Sequence, residues 1–232
     1  MKITKLYPPK HNNFVLDDLP FHSLTLFGAM ANCYVSLFGS ESFPEFISLF
    51  EIGKISSIFP ALKINDKEIL FLPKPYLAKQ KDKKYDEYIS KKKIKKIRWL
   101  SLASIKQLGI SIQQNGNDYF HSVDFLKDFT LIGNEFLITK NELTPEIVEK
   151  ISLLSFYKKT DTVRVNVARF GQESIPFPQA EIRFIDASNE EMKIKLFLYF
   201  LEDMDNKKWN ATKDLFADEG IGGERNLCKR WF

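Results

Sequence analysis

The chain has 232 residues, 44% hydrophobic and 14% aromatic, so it can bury a core and wholesale disorder is excluded. Its two cysteines, Cys33 and Cys228, exclude a disulfide framework and a Cys-rich zinc site. No apolar run reaches the ~18–20 residues of a membrane span, and the N-terminus lacks an apolar signal core, so a cytoplasmic protein without membrane contact is expected.

The net charge of +4 comes from 34 basic and 30 acidic residues, and this average hides an asymmetry. Residues 79–98 hold ten basic residues against three acidic, a local +7, which leaves −3 for the rest.

In chain order, Ile3–Tyr7 reads as a first strand, ended by Pro8-Pro9. Leu24, Phe27, Ala31, Tyr34 and Phe38 recur at helical spacing, with Ser23 as the expected cap and Gly39 as the stop. Ile58–Leu62 and Ile69–Leu72 flank Asn65-Asp66 and predict a hairpin. Pro73-Lys74-Pro75 forces an extended exit, because proline neither donates to a sheet nor continues a helix.

Residues from about 76 to 160 read as an insertion in a single domain spanning 1–232. The insertion holds the basic run, a short strand or helix at Ile94–Leu102, a turn at Asn115-Gly116-Asn117 and a helix from Thr144-Pro145. Thr162–Val167 alternates like a strand, and Ile182–Ile185 with Met192–Leu201 suggests another hairpin. Lys207–Glu219 is an amphipathic helix, broken by Gly220-Ile221-Gly222-Gly223, and Leu227–Phe232 reads as a last strand. With the insertion removed the order is close to βαββαβ, an α+β, ferredoxin-like arrangement shared with the RNA-recognition motif.

No phosphate-loop, zinc-protease or CxxC signature is present, and His11, His22 and His121 lack metal-ligand spacing, so no metal, cofactor or catalytic residue is expected. Three glycines in four positions at 220–223 let backbone N–H groups converge on a phosphate, whereas one glycine suffices to end a helix. Arg225, Lys229 and Arg230 follow directly and add positive charge. The order helix–loop–strand is the reverse of nucleotide-cofactor loops. The lysine run carries two open readings. It is a phosphate-tracking surface with Tyr76, Tyr85 and Tyr88 to stack on bases, or a solvated surface in a chain that uses 28 lysines to six arginines.

Three segments in order, Pro20-Phe-His-Ser-Leu-Thr-Leu-Phe-Gly-Ala29, Leu70-Phe-Leu-Pro-Lys-Pro75 and Asp214-Leu-Phe-Ala-Asp-Glu-Gly-Ile-Gly-Gly-Glu-Arg225, resemble the RAMP superfamily of CRISPR-associated proteins. Within it they are most similar to the Cas family five subunit that caps the crRNA 5′ handle in type III-like effector complexes. Arg164-Val-Asn-Val-Ala-Arg-Phe-Gly171 is a looser match. Leu24 stands where the family commonly has an acidic residue. The family continues with a C-terminal half beyond this point.

The resemblance implies a non-catalytic RNA-binding subunit for antiviral defence. It would hold the repeat-derived 5′ handle and cap the backbone filament, beside a repeated RAMP backbone subunit and a large signalling or nuclease subunit. Carried over by position, Gly220, Ile221, Gly222, Gly223 and Arg225 match the RNA-contacting loop. Phe21, His22 and Ser23 match the helix start bordering the handle. Lys74 lies in the Pro-Lys-Pro corner, and Arg164 and Arg169 match the arginine segment. Lys91, Lys92 and Lys93, from the basic run, complete the RNA-binding set, and the insertion would reach over the RNA like a thumb. Two further readings stand beside it: a metal-independent endoribonuclease using His22, His11 and Tyr7, and an adaptor that touches only protein.

Overall fold

The computed structural model describes residues 1–7, 13–14, 22–76, 95–115, 128–167, 174–188, 190 and 192–219. They fall into two compact units: unit 1 takes Met1–Pro60, Tyr157–Asp186 and Lys195–Phe232, and unit 2 takes Ala61–Phe156 and Ala187–Ile194. The described elements make a mixed α+β architecture. No helix among the described residues is long and apolar enough to cross a membrane.

In unit 1, β1 (Lys2–Leu6) follows Met1, and β2 is the two-residue strand Asn13–Phe14. Helix α1 (Ser23–Phe38) ends where Gly39 takes φ 85°, a left-handed value that favours glycine. A 3₁₀ turn (Ser40–Ser42) leads into α2 (Phe43–Ile52). Pro44 fits the first turn of α2, where its missing N–H is not needed.

The sequence pattern places a helix at α1 and finds part of its buried side, Tyr34 and the packed Phe27, but misplaces the centre of that side. Leu26, Ala29, Met30, Cys33 and Tyr34 are buried, whereas Leu24 is 81% exposed. Apolar residues surround α1, so periodicity alone does not choose a side. An aromatic cluster on α1, α2 and the last helix chooses it. Phe27 meets Phe46 at 5.2 Å and Phe50 at 4.8 Å, and Phe50 meets Trp209 edge-on at 5.9 Å.

β10 (Ile194–Glu202) pairs antiparallel with β1, Lys2 opposite Glu202 and Leu6 opposite Leu198. On its other side, the segment 54–57 runs beside it: Ser56 N–H donates to the Leu201 carbonyl at 2.9 Å, and Ser56 Oγ accepts the Leu201 N–H at 2.8 Å. The last described helix, α5 (Lys207–Glu219), has the bounds expected from the sequence.

At the end of β10 the Glu202 carboxylate is buried and fully engaged. It accepts from Thr4 Oγ1 at 2.9 Å, Trp209 Nε1 at 2.5 Å and Lys213 Nζ at 2.5 Å, tying β1, β10 and α5 together.

β8 (Tyr157–Val167) and β9 (Ser174–Phe184) form an antiparallel ribbon eleven residues long on each side, with β2 on Ile182 and Arg183. This corrects the expected hairpin of 182–185 with 192–201. β9 pairs with β8 and β2, and β10 pairs with β1. Pro176 and Pro178 sit in β9 beyond the short reach of β2, where no ladder donor is required.

Unit 2 is built on β3 (Phe59–Ile64), from Ala61 onward, and β4 (Lys67–Pro73), joined by the expected Asn65-Asp66 turn. Asn65 takes φ 53°, a left-handed value that asparagine tolerates better than most residues. β5 (Trp99–Ser101) pairs antiparallel with β4 and parallel with β7 (Phe136–Thr139), which pairs antiparallel with β6 (Phe129–Ile132).

The sequence left Ile94–Leu102 as strand or helix. The structure resolves it as β5 running directly into α3 (Leu102–Asn115). Ser101 Oγ accepts the Ser104 N–H at 3.0 Å, which caps α3, and donates to Glu142 at 2.6 Å. Thr144 precedes α4 (Pro145–Ile151), as its Thr-Pro start predicts. The segment from 76 to 156 lies in unit 2 with residues 61–75 and 187–194. The Asn115-Gly116-Asn117 turn, beyond Asn115, and Leu227–Phe232 lie outside the described residues.

Candidate nucleic-acid interface

The site begins at the N-terminus of α1. Here the structure corrects the cap: His22, with extended φ −66° and ψ 146°, is the N-cap residue, and Ser23 is the first helical residue. The His22 carbonyl accepts the N–H groups of Thr25 at 3.0 Å and Leu26 at 3.2 Å. The Ser23 amide donates to Ser57 Oγ at 3.2 Å, a partner 34 residues away that no local pattern announces. The His22 side chain makes no capping hydrogen bond, and no acidic residue lies in the first turn. The positive end of a sixteen-residue helix dipole is therefore not neutralised from within the helix. His22 is exposed beside it, and so is Leu24, where an acidic residue would have opposed an anion.

α5 leads the chain to the Gly-rich motif along α1. Lys208, at its start, lies 5.3 Å from the Phe38 ring, and the Cys33 thiol donates to the Glu219 carboxylate at its end, 3.6 Å away. α5 thus runs back from the C-terminal end of α1 toward its middle, and Glu219 is the last described residue before Gly220.

In unit 2, Lys74 follows β4, and its amide donates to the Arg98 carbonyl at 2.8 Å. Pro73 is paired opposite Trp99. The two ends of the excursion that carries most of the basic run are therefore adjacent strands. Exposed Lys95 and Lys96 precede β5, and Tyr76 is 96% exposed after β4.

Of the residues singled out from sequence, His22 and Ser23 come together at α1, Arg164 lies on β8 opposite Phe177, and Lys74 lies at the β4–β5 base. Phe21, Lys91, Lys92, Lys93, Arg169, Gly220, Ile221, Gly222, Gly223 and Arg225 lie outside the described residues. Ser57 and Glu202, which hold α1 and α5 in place, were not legible as site supports. No cluster of three potential metal ligands occurs among the described residues.

No family model matches the chain. It is 28% identical over 231 residues to the CRISPR system Cms protein Csm4 of Methanocaldococcus jannaschii, covering 91% of this chain. The chain spans 58% of that relative's length. Among solved structures, a chain of a Csm3–Csm4 subcomplex from the type III-A CRISPR–Cas interference complex superimposes with a TM-score of 0.63 at 26% identity. That match covers 96% of this chain and 66% of the other. In sequence and in fold, the chain is Csm4-like, as its three motifs indicated.

Proposed function

We propose that the chain is an RNA-binding subunit of a type III CRISPR effector ribonucleoprotein, holding the 5′ handle of the guide RNA. The observation that carries this reading is the α1 N-terminus, with its internally uncompensated dipole and exposed His22, in a chain Csm4-like over 91% of its length. An anion placed there meets backbone dipoles rather than a carboxylate. The Gly-rich motif, entered from α5, supplies further N–H groups without Cβ atoms in the way. Backbone donors set the position of the phosphates, and side chains read the splayed bases.

Fold detail supports the same reading. β1–α1 and β10–α5 correspond to two β–α halves of a ferredoxin-like RAMP domain, with residues 54–57 running beside β10. Leu227–Phe232 would supply the closing strand, and the segment around 76–160 the insertion. The partner along the RNA would be a backbone subunit like the Csm3 in the subcomplex that the fold resembles. A large signalling or nuclease subunit would complete the cytoplasmic assembly, and cleavage would reside on another chain.

The test is binding of RNA bearing the cognate 5′ handle against RNA with that segment scrambled, in EDTA. Tighter binding of the intact handle without cutting is expected. That preference should be lost when Gly222 and Gly223 are replaced by Leu in a folded protein. Equal binding of both RNAs refutes handle recognition. Specific cutting that disappears in His22→Ala refutes the non-catalytic assignment and favours the endoribonuclease.

A further inference from the structure

We infer that the paired base of the β4–β5 excursion is a second RNA contact, a single-strand platform in which Tyr76 stacks on a base and Lys95 and Lys96 hold neighbouring phosphates. This rests on the RNA-binding reading above and adds a site whose selectivity differs from that of the handle.

The base is stiff. Pro73 is in register with Trp99, Lys74 N–H donates to the Arg98 carbonyl, and the Arg98 and Trp99 amides both donate to the Glu135 carbonyl at 3.0 and 3.1 Å. Ile97 and Trp99 are buried, which anchors the arm that carries the lysines. On the other arm, prolines at 73 and 75 restrict the backbone leading to Tyr76. Tyr76 is therefore a 96% exposed aromatic ring at a restrained position, not one on a free chain end.

The two arms of the base carry charge of one sign. Residues 74–76 and 95–98 contain four cations and no acid. Arg98 lies 4.0 Å from Glu135, so its charge is partly compensated, whereas Lys95 and Lys96 are exposed. From Lys74 to Arg98 the chain carries a net +8. An acidic peptide would use the cations and leave the ring idle. A single-stranded polynucleotide uses both, because every base has a face to stack and every linkage a charge to neutralise.

The experiment measures anisotropy of the full chain with two labelled RNAs, one bearing the handle and one an unstructured uridine 15-mer. Tyr76→Ala should weaken 15-mer binding by about 5- to 150-fold, the range that one lost base stack gives, and Tyr76→Phe should bind like wild type. Lys95→Gln/Lys96→Gln should flatten the slope of log affinity against log salt by about 1.4, at about 0.7 per single-strand phosphate contact. In both variants the preference for the intact handle should persist.

If wild type binds neither RNA, the RNA-binding reading falls and the platform with it. If wild type binds but Tyr76→Ala and the double variant match it, the platform alone is overturned. Polyglutamate that displaces the 15-mer from wild type and Tyr76→Ala at equal concentrations also overturns it in favour of an acidic protein partner.

Discussion

Replacing Glu202 tests whether α5, and the motif it delivers, is held by one buried carboxylate. Glu202 is 1% exposed and accepts from Thr4, Trp209 and Lys213. Glu202→Ala leaves the fully buried Trp209 indole N–H without this acceptor, at a cost of about 1–3 kcal/mol. It also strands the Lys213 ammonium, whose side chain is 20% exposed. Breaking a buried pair costs about 3–5 kcal/mol, but the long Lys213 stem can turn its head toward water, so about 2 kcal/mol is the fair share. Thr4 is only half-buried and finds water.

The sum is about 3–5 kcal/mol, a shift of about 1–2.5 M in the urea midpoint for a slope of about 2–3 kcal/mol/M. Glu202→Gln keeps the shape but turns an amide N–H₂ group toward donors, so about half that loss is expected. Combining it with Lys213→Met should recover part of the loss, because no charge is left stranded. Urea unfolding followed by Trp fluorescence and circular dichroism measures all four proteins. A Glu202→Ala midpoint within about 0.2 M of wild type, under about 0.6 kcal/mol, would refute the latch.

Three other outcomes are expected. Gly133 has φ 56°, and a Cβ there would lie 2.4 Å from Phe156 Cε2, so Gly133→Ala should destabilise unit 2 by about 2 kcal/mol or more in thermal unfolding. Lys208 Nζ lies 2.6 Å from the Glu45 carboxylate, and this hydrogen bond holds the Glu45 pKa below its ordinary 4.5. The stability it gives is present above pH 4.5 and fades as pH falls through the lowered folded value, so carbon-13 titration should find Glu45 low in wild type and higher in Lys208→Met. Neutralising Lys91, Lys92 and Lys93 should reduce the salt slope of RNA binding by up to about 2, and an unchanged slope returns that run to a solvated surface.

Much of the fold was legible where local chemistry decides it. Asn65-Asp66 between two apolar runs marks the β3–β4 hairpin, and the Thr144-Pro145 start and the bounds of α5 follow from caps and periodicity. What escaped was decided at a distance. α1 is apolar on more than one side, and only its packing on α2 and α5 selects Leu26 and Met30 over Leu24. Ser23 has the side chain of a cap, yet the backbone makes His22 the cap and gives the Ser23 amide to Ser57. Strands β9 and β10 are close in sequence, but β9 is claimed by eleven residues of β8. Of the candidate site, the helix start and the Lys74 corner were singled out from motif likeness. Their supports, Ser57 and Glu202, carry no motif.

The two proposed contacts differ in physical kind, and that difference has a measurable consequence. At α1 and the Gly-rich motif the donors are mostly neutral backbone N–H groups, which release few counterions when they bind a phosphate. At the β4–β5 base and along the lysine run the donors are full charges, so each neutralised phosphate costs affinity as salt rises. Raising salt from 50 to 200 mM should therefore weaken the scrambled RNA more than the intact handle. With three or four charge-only contacts, each adding about 0.7 to the slope, binding through the charges alone falls about 20- to 50-fold over that range. Handle discrimination, measured as the ratio of the two dissociation constants, should rise with salt. A constant ratio would mean that both RNAs engage the same cations to the same extent, and a ratio of one at every salt would mean that the neutral donors add no preference of their own.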